Sequence, residues 1–265
     1  MTGVAPPLPP VALRQLVGPL EDHWYDNPSG QPVFEGLPVS HYRSVVDFGC
    51  GCGRLARQLL QQSPRPDSYL GLDLHAGMIA WCERHLAKAA TGFSFRHHDV
   101  HNPAFNPEST NRWLPLPVKD GSVTLVLAWS VFTHLVEAQA RFYLGECARS
   151  LAEDGVLLST WFLFDKADFP MMQDFQNAVF INDIDPSNAV LFDRRWVLRT
   201  LREAGLTAFR ILPPKTRGFQ WQVWAAPTRA GVIEAAFPAD TAPPRHRPPP
   251  LLPEGDVPRL GFEDD

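Results

Sequence analysis

One stretch of ten residues limits what this chain can become: Val45-Val46-Asp47-Phe48-Gly49-Cys50-Gly51-Cys52-Gly53-Arg54. An apolar, β-branched run ends in a carboxylate. Three alternating glycines follow, and a helical pattern starts at once. β-branched residues in succession fit a strand. Glycine lets the backbone turn tightly and lets a ligand approach with no Cβ in the way. A helix start directly beyond such a turn offers free N–H donors to an anionic group. Cys50 and Cys52 fall inside this turn, too close in sequence to staple anything.

The same strand–helix rhythm continues downstream. Strands are expected at 44–48, 69–73, 93–97, 122–128 and 156–162. The intervening segments 54–62, 76–89 and 137–151 carry helical spacing, with Leu55 and Leu59, or Met78, Ile79, Cys82 and Leu86, on one face. The third of these helices is expected to stop at Asp154-Gly155. Asp193 is placed to cap a further helix whose buried face is Val197, Leu201 and Ala204. Two last strands, 207–212 and 219–225, follow with only a turn between them. The expected fold is therefore α/β, a Rossmann-like doubly wound sheet, mostly parallel with one antiparallel strand near the edge. Residues 1–43 read as an N-terminal arm and 44–226 as the folded domain. Residues 227–265, rich in proline and ending in acid, read as a disordered tail.

Composition narrows the function. The 265 residues are 45% hydrophobic, enough for a full core, and the net charge of −5 leaves no basic surplus for nucleic acid. No apolar run reaches the roughly 18 residues of a membrane span. The first ten residues lack the basic start and apolar block of a secretion signal, so a cytoplasmic protein is expected. The four cysteines show neither a disulfide framework nor paired metal spacing, so no metal is expected.

Three neighbouring strand ends each present an aspartate: Asp47, Asp73 and Asp99. Asp47 can hold a positive group. Asp73, 22 residues beyond Gly51, can accept from both hydroxyls of a ribose. Asp99 can accept from an adenine amino group. Ligands of such sheets bind at the carboxyl ends of the strands, where strand order reverses.

This pattern resembles the class I S-adenosylmethionine (SAM) dependent methyltransferases, from about residue 44 to 161 and more loosely to 225. Asp47-Phe-Gly-Cys-Gly-Cys-Gly matches the family's acidic glycine-rich turn. The resemblance implies SAM as cofactor. It puts Gly49, Cys50, Gly51 and Gly53 along its methionine and ribose portion, Asp47 near its amino end and Asp73 on the ribose. Leu74 and Met78 would flank the adenine, Asp99 and Val100 would match the adenine-binding pair, and Ala128, Trp129 and Ser130 would pass the methionine end. The chain departs from the family at Thr124, where aspartate is usual, and at Val156, where a second glycine is usual.

The rival for the same glycines is an NAD(P)-dependent oxidoreductase, because Gly51-Cys-Gly53-Arg-Leu-Ala56 satisfies G-x-G-x-x-A with Asp73 at ribose distance. It leaves Asp47, Gly49 and Asp99 without a role. A non-catalytic SAM-binding scaffold is the other alternative. The acceptor is expected to be a small molecule or glycan, methylated at oxygen. His134, after the fourth strand, is the candidate base, and it can equally serve as a helix cap. His101 is a second candidate base. His97, His98 and His101 surround Asp99, but alternate residues of a strand face opposite ways, which argues against a metal. The long link 165–192, with its Phe and Met residues, reads either as an acceptor cap or as a helix packed on the sheet. Trp161 either faces the acceptor or belongs to the core. Oligomeric state is not legible.

Overall fold

A computed structural model describes residues 6–182 and 184–241. Five parallel strands run in the order β3 (Phe93–His97), β2 (Ser68–Asp73), β1 (Ser44–Phe48), β4 (Val123–Ala128) and β5 (Leu151–Phe164). Strand order reverses between β1 and β4, which opens a crevice at their carboxyl ends. The last hairpin extends the sheet beyond β5. β9 (Trp221–Pro227) lies antiparallel against β5, and β8 (Leu206–Leu212) pairs antiparallel with β9. The α/β architecture and the antiparallel strand near the edge are as the sequence predicts. One antiparallel pair was not foreseen: β6 (Ala178–Phe180) against β7 (Val190–Asp193), which itself runs parallel beside the end of β5.

The helices pack both faces because the strands alternate. Val46 and Phe48 point into a core with α4 (Glu137–Ser150) and α5 (Arg194–Glu203), through Tyr143, Leu144, Trp196 and Leu201. Val45 points the other way, to Leu55 and Leu59 of α2 (Arg54–Gln61) and Ile79 of α3 (Ala76–His85). Every residue of β4 is buried, as a central parallel strand should be. At 25 cal/mol per Å² or so, this two-sided burial is the main force holding the layers together.

Three sequence readings need correction here. Asp154-Gly155 does not end α4: the helix stops at Ser150, and Gly155 sits in a bulge where β5 shifts register against β4. A Cβ on Gly155 would lie 2.9 Å from the Val123 carbonyl oxygen, so this close approach explains the glycine. The link 165–192 holds no α-helix. It consists of two 3-10 turns and the β6–β7 pair, with Phe169, Met171, Phe175 and Ile184 exposed. The tail is laid down on the sheet as far as residue 241. Thr228 N–H donates to the Gly205 carbonyl, Ala235 N–H donates to that of Ala208, and Phe237 packs on Trp221. The rest of the expected tail, 242–265, lies outside the described residues.

The arm is anchored by charge. Buried Arg57 of α2 donates to the Pro6 and Tyr25 carbonyls and pairs with Asp26. This brings α1 (Val11–Val17) over the glycine turn. The departure at Thr124 has a local reason: its hydroxyl donates to the His41 carbonyl at 2.8 Å and accepts from Ser44 N–H at 2.9 Å. It joins the arm to the first strand.

Asp193 does two jobs at once. One carboxylate oxygen caps α5 through Trp196 N–H, the other accepts from Lys166 N–H, and the residue is buried. Asp193→Ala removes a cap and strands a donor, and is expected to cost about 1–2 kcal/mol. Denaturant unfolding checks this; a loss under about 0.3 kcal/mol would show that neither bond contributes.

Candidate active site

The turn after β1 is built backwards from β2. Gly49 and Cys50 N–H both donate to the Leu72 carbonyl, at 2.8 and 2.9 Å. Gly51 N–H donates to Asp73 Oδ2 at 2.8 Å, and His75 N–H donates to Asp73 Oδ1 at 2.8 Å. Gly49 and Gly51 have φ of 81° and 54°, the left-handed region that favours glycine. Space is as strict as torsion: a Cβ on Gly49 would fall 2.3 Å from Val131 Cγ2, and one on Gly51 2.8 Å from Val17 Cγ1.

Above the turn lies a cavity of about 560 Å³, within the usual range for small-molecule and cofactor sites. Asp47, Gly49, Cys50, Gly51, Asp73, Leu74, Met78, Val100, Trp129 and His134 all line it. Three expected residues do not. Gly53 packs against Leu86 and Cys82, and Ala128 is wholly buried inside β4. Asp99 points outward: Asn106 donates to it at 3.0 Å and Asn111 at 3.4 Å. These bonds, that from Asn106 first, hold the Asp99 carboxyl below the usual range. They order the loop that follows β3.

Asp47 is the electrostatic centre. It is 1% exposed, accepts from the Tyr69 hydroxyl at 2.7 Å through Oδ2, and leaves Oδ1 with no partner. Burial pushes its carboxyl up to about 7, opposed by the Tyr69 bond and by Arg54. A buried acceptor with no donor is costly, so this oxygen could receive a donor or cation from a ligand. Asp73 differs. Burial raises it, but its two N–H donors oppose that, and each oxygen keeps a lone pair for a hydroxyl.

The opposite wall carries His134. Its Nδ1 lies 3.0 Å from the Ser187 carbonyl oxygen. A carbonyl only accepts, so Nδ1 carries the proton and Nε2 is left as the acceptor. Ser187 belongs to the link before β7, and Asn102 Nδ2 also reaches its hydroxyl. The link therefore roofs the cavity. His101 lines the cavity too, with Nδ1 at the Ser109 carbonyl.

Reading the sequence alone overlooked several lining residues. Arg54, first in α2, stands beside Asp47. Leu16 and Val17 come from the arm. His98 and Tyr143 meet at 2.9 Å, and burial drives His98 down to about 4 and Tyr143 up to about 12. Both are neutral near pH 7. Only Arg54, next to the glycines, carried a signal in sequence; the others depend on tertiary packing. Trp161 does not reach the cavity: it is buried, stacked on Phe132 at 4.3 Å. His97 turns to the Leu74 carbonyl. Among the described residues no group of three or more His, Cys, Asp or Glu can hold a metal. No described helix is long and apolar enough to cross a membrane.

Comparison with known proteins agrees with this geometry. Residues 45–155 match the methyltransferase domain family. A SAM-dependent methyltransferase from Aquifex aeolicus superposes with a TM-score of 0.50 at 15% identity, over 83% of this chain and 100% of that one. A putative SAM-dependent methyltransferase from Listeria monocytogenes gives 0.50 at 12% identity, over 72% and 93%. The O-methyltransferase NcsB1 of neocarzinostatin biosynthesis, solved with SAM and 2-hydroxy-5-methyl naphthoic acid, gives 0.48 at 16% identity, over 72% of this chain. The chain spans about 50% of the length of NcsB1. At these identities the superpositions show a shared α/β fold. The methyltransferase-domain match spans 45–155 and so takes in the glycine turn, Asp73 and Asp99. The glycines are thus read in the methyltransferase register and not the dinucleotide one.

The residues would fit SAM, the cofactor that the sequence resemblance implies: a partnerless buried oxygen could take an ammonium, the glycine turn has room that any Cβ would fill, and Asp73 could take a ribose. The Asp47 carboxyl also makes a pH prediction. Its folded pKa is raised, so its contribution to stability is full below the ordinary carboxylate value and is lost as pH rises through about 7. Asp47→Asn removes that loss. Without ligand, the variant is expected to gain melting temperature over the parent between pH 5 and pH 8. A difference that does not grow with pH would refute the buried, uncompensated charge.

Proposed function

We propose that the chain transfers the methyl group of SAM to a hydroxyl of a small, uncharged acceptor, a small molecule or a sugar. One observation carries this reading: a single cavity joins the Asp47–glycine–Asp73 cradle to a histidine whose Nε2 is held free. Bound SAM supplies a methyl already activated on a sulfonium. The chain's own residues then bind, orient and exclude water. Asp47 Oδ1 takes the ammonium of the methionine portion, with Arg54 nearby for its carboxylate. Asp73 accepts from the ribose hydroxyls, and Leu74, Met78 and Val100 enclose the base. Asp99 is not assigned a contact.

The lining supports the acceptor class. Beyond the cradle it includes Phe105, Val131, Leu135, Gln139 and Asn188 together with His134. The one other carboxylate, Asp185, is engaged by Ser187 N–H and hydroxyl. Among the described residues, Arg54 is the only Arg or Lys in the lining. A phosphorylated or strongly anionic acceptor would therefore find no Arg or Lys beyond Arg54, which faces the methionine carboxylate in this reading. His134 Nε2 takes the hydroxyl proton as the new bond forms.

The test uses SAM carrying a labelled methyl group and a panel of phenols and sugars. Asp73→Ala should weaken SAM binding at least tenfold by calorimetry. His134→Ala should lower kcat by about 10²-fold or more, with SAM affinity within about threefold of the parent. Failure of the pure protein to bind SAM would sink the reading. Binding without transfer to any acceptor would favour the scaffold, and undiminished turnover by His134→Ala would remove the base.

A further inference from the structure

Ser130, at the end of β4, has φ of 61°. It is the only non-glycine residue among those described with a positive φ, and it lines the cavity. A side chain in this region is strained, and such strain persists only where the surroundings enforce it. Here the enforcement is visible as a closed ring. Ser130 N–H donates to Thr160 Oγ1 at 2.7 Å. The Thr160 hydroxyl donates to Gln220 Oε1 at 2.6 Å, and Gln220 Nε2 donates back to Ser130 Oγ at 2.7 Å. Each partner uses one donor and one acceptor. Thr160 is fully buried in β5, and Gln220 stands just before β9. Neither lines the cavity.

We infer that Thr160 and Gln220 are positioning residues: with Ser130 they lock the turn after β4 and thereby set where His134 stands in the cavity. The left-handed residue reverses the chain so that Val131 Cγ2 lies over Gly49, in the space a Cβ there would fill. Val131 then accepts from His134 N–H at 2.8 Å, within a 3-10 turn whose Phe132 stacks on Trp161. Glycine turn and base are thus set by one backbone conformation, and the ring that holds it is reached only through β5 and the last hairpin. Thr160 is fully buried while Ser130 and Gln220 are half-buried, and a polar hydroxyl as deep as that of Thr160 is expensive unless it is satisfied. A saturated ring around a strained residue fits a positioning device better than an incidental contact. This inference rests on the methyltransferase reading for what the turn carries, not for the ring itself.

The test compares Ser130→Ala, Ser130→Gly, Gln220→Leu and the Ser130→Gly/Gln220→Leu pair, with Gln220→Glu held in reserve should the leucine variant not fold. Amide exchange of residues 131–134 and SAM affinity are the readouts. Alanine keeps the cost of the left-handed backbone and loses the ring; glycine removes that cost. Ser130→Ala and Gln220→Leu should each speed exchange about tenfold and weaken SAM binding several-fold. Ser130→Gly should be disturbed less than Ser130→Ala, and Gln220→Leu should add little in the glycine background. The usual order, with glycine the more disturbed, would overturn the inference, as would exchange indifferent to Gln220. If the parent binds no SAM, the proposed function falls, while the response of amide exchange to Gln220→Leu still decides the ring.

Discussion

The turn after β1 hangs on β2. The Leu72 carbonyl accepts two of its N–H groups and the Asp73 carboxylate a third. Without those bonds three left-handed glycines would be a floppy link, because glycine loses the most conformational freedom on folding. With them, the turn becomes a rigid concave surface. Val131 presses on it from β4 and Val17 from the arm. Each neighbour fills the space that a side chain would take, so sequence, packing and cavity shape are one constraint.

That rigidity is what allows Asp47 to be kept buried with one oxygen unsatisfied. A looser site would relax, letting water or a backbone donor in. The protein instead carries an electrostatic deficit that a cationic ligand can relieve, and under the proposed function this would focus binding energy at one end of the cofactor. At the other end the roles are neutral. His98 and Tyr143 hold no charge near pH 7, and His134 is oriented by a carbonyl rather than by a carboxylate. Charge for the cofactor and neutrality for the acceptor are consistent with methyl transfer from a sulfonium, where the protein has mainly to position and exclude water.

Much of this was legible in the sequence wherever a local rule governs. The strand–glycine–helix unit, the acid ending β2 and the Asp193 cap all follow from neighbours a few residues apart. Local rules failed where a residue's partner is distant or where two rules share a signature. Gly155 looked like a helix stop and is a bulge demanded by the Val123 carbonyl. Asp99 ends a strand as Asp73 does, yet Asn106 and Asn111 capture it. Phe169, Met171, Phe175 and Phe180 have a helical look in sequence but remain exposed in a roof of short turns and one short strand. The Ser130 ring joins residues 30 and 90 positions apart, a separation no periodicity reveals.

The most direct test of the central claim is proton release on SAM binding. Titration calorimetry at pH 6, in two buffers of different ionisation enthalpy, measures it. Asp47 is mostly protonated there, since burial lifts its carboxyl to about 7. If its free oxygen receives the cofactor's ammonium, binding should ionise it and release close to one proton, by linkage of ligand and proton. Tight binding with no proton released would place the ammonium elsewhere and contradict the account of Asp47.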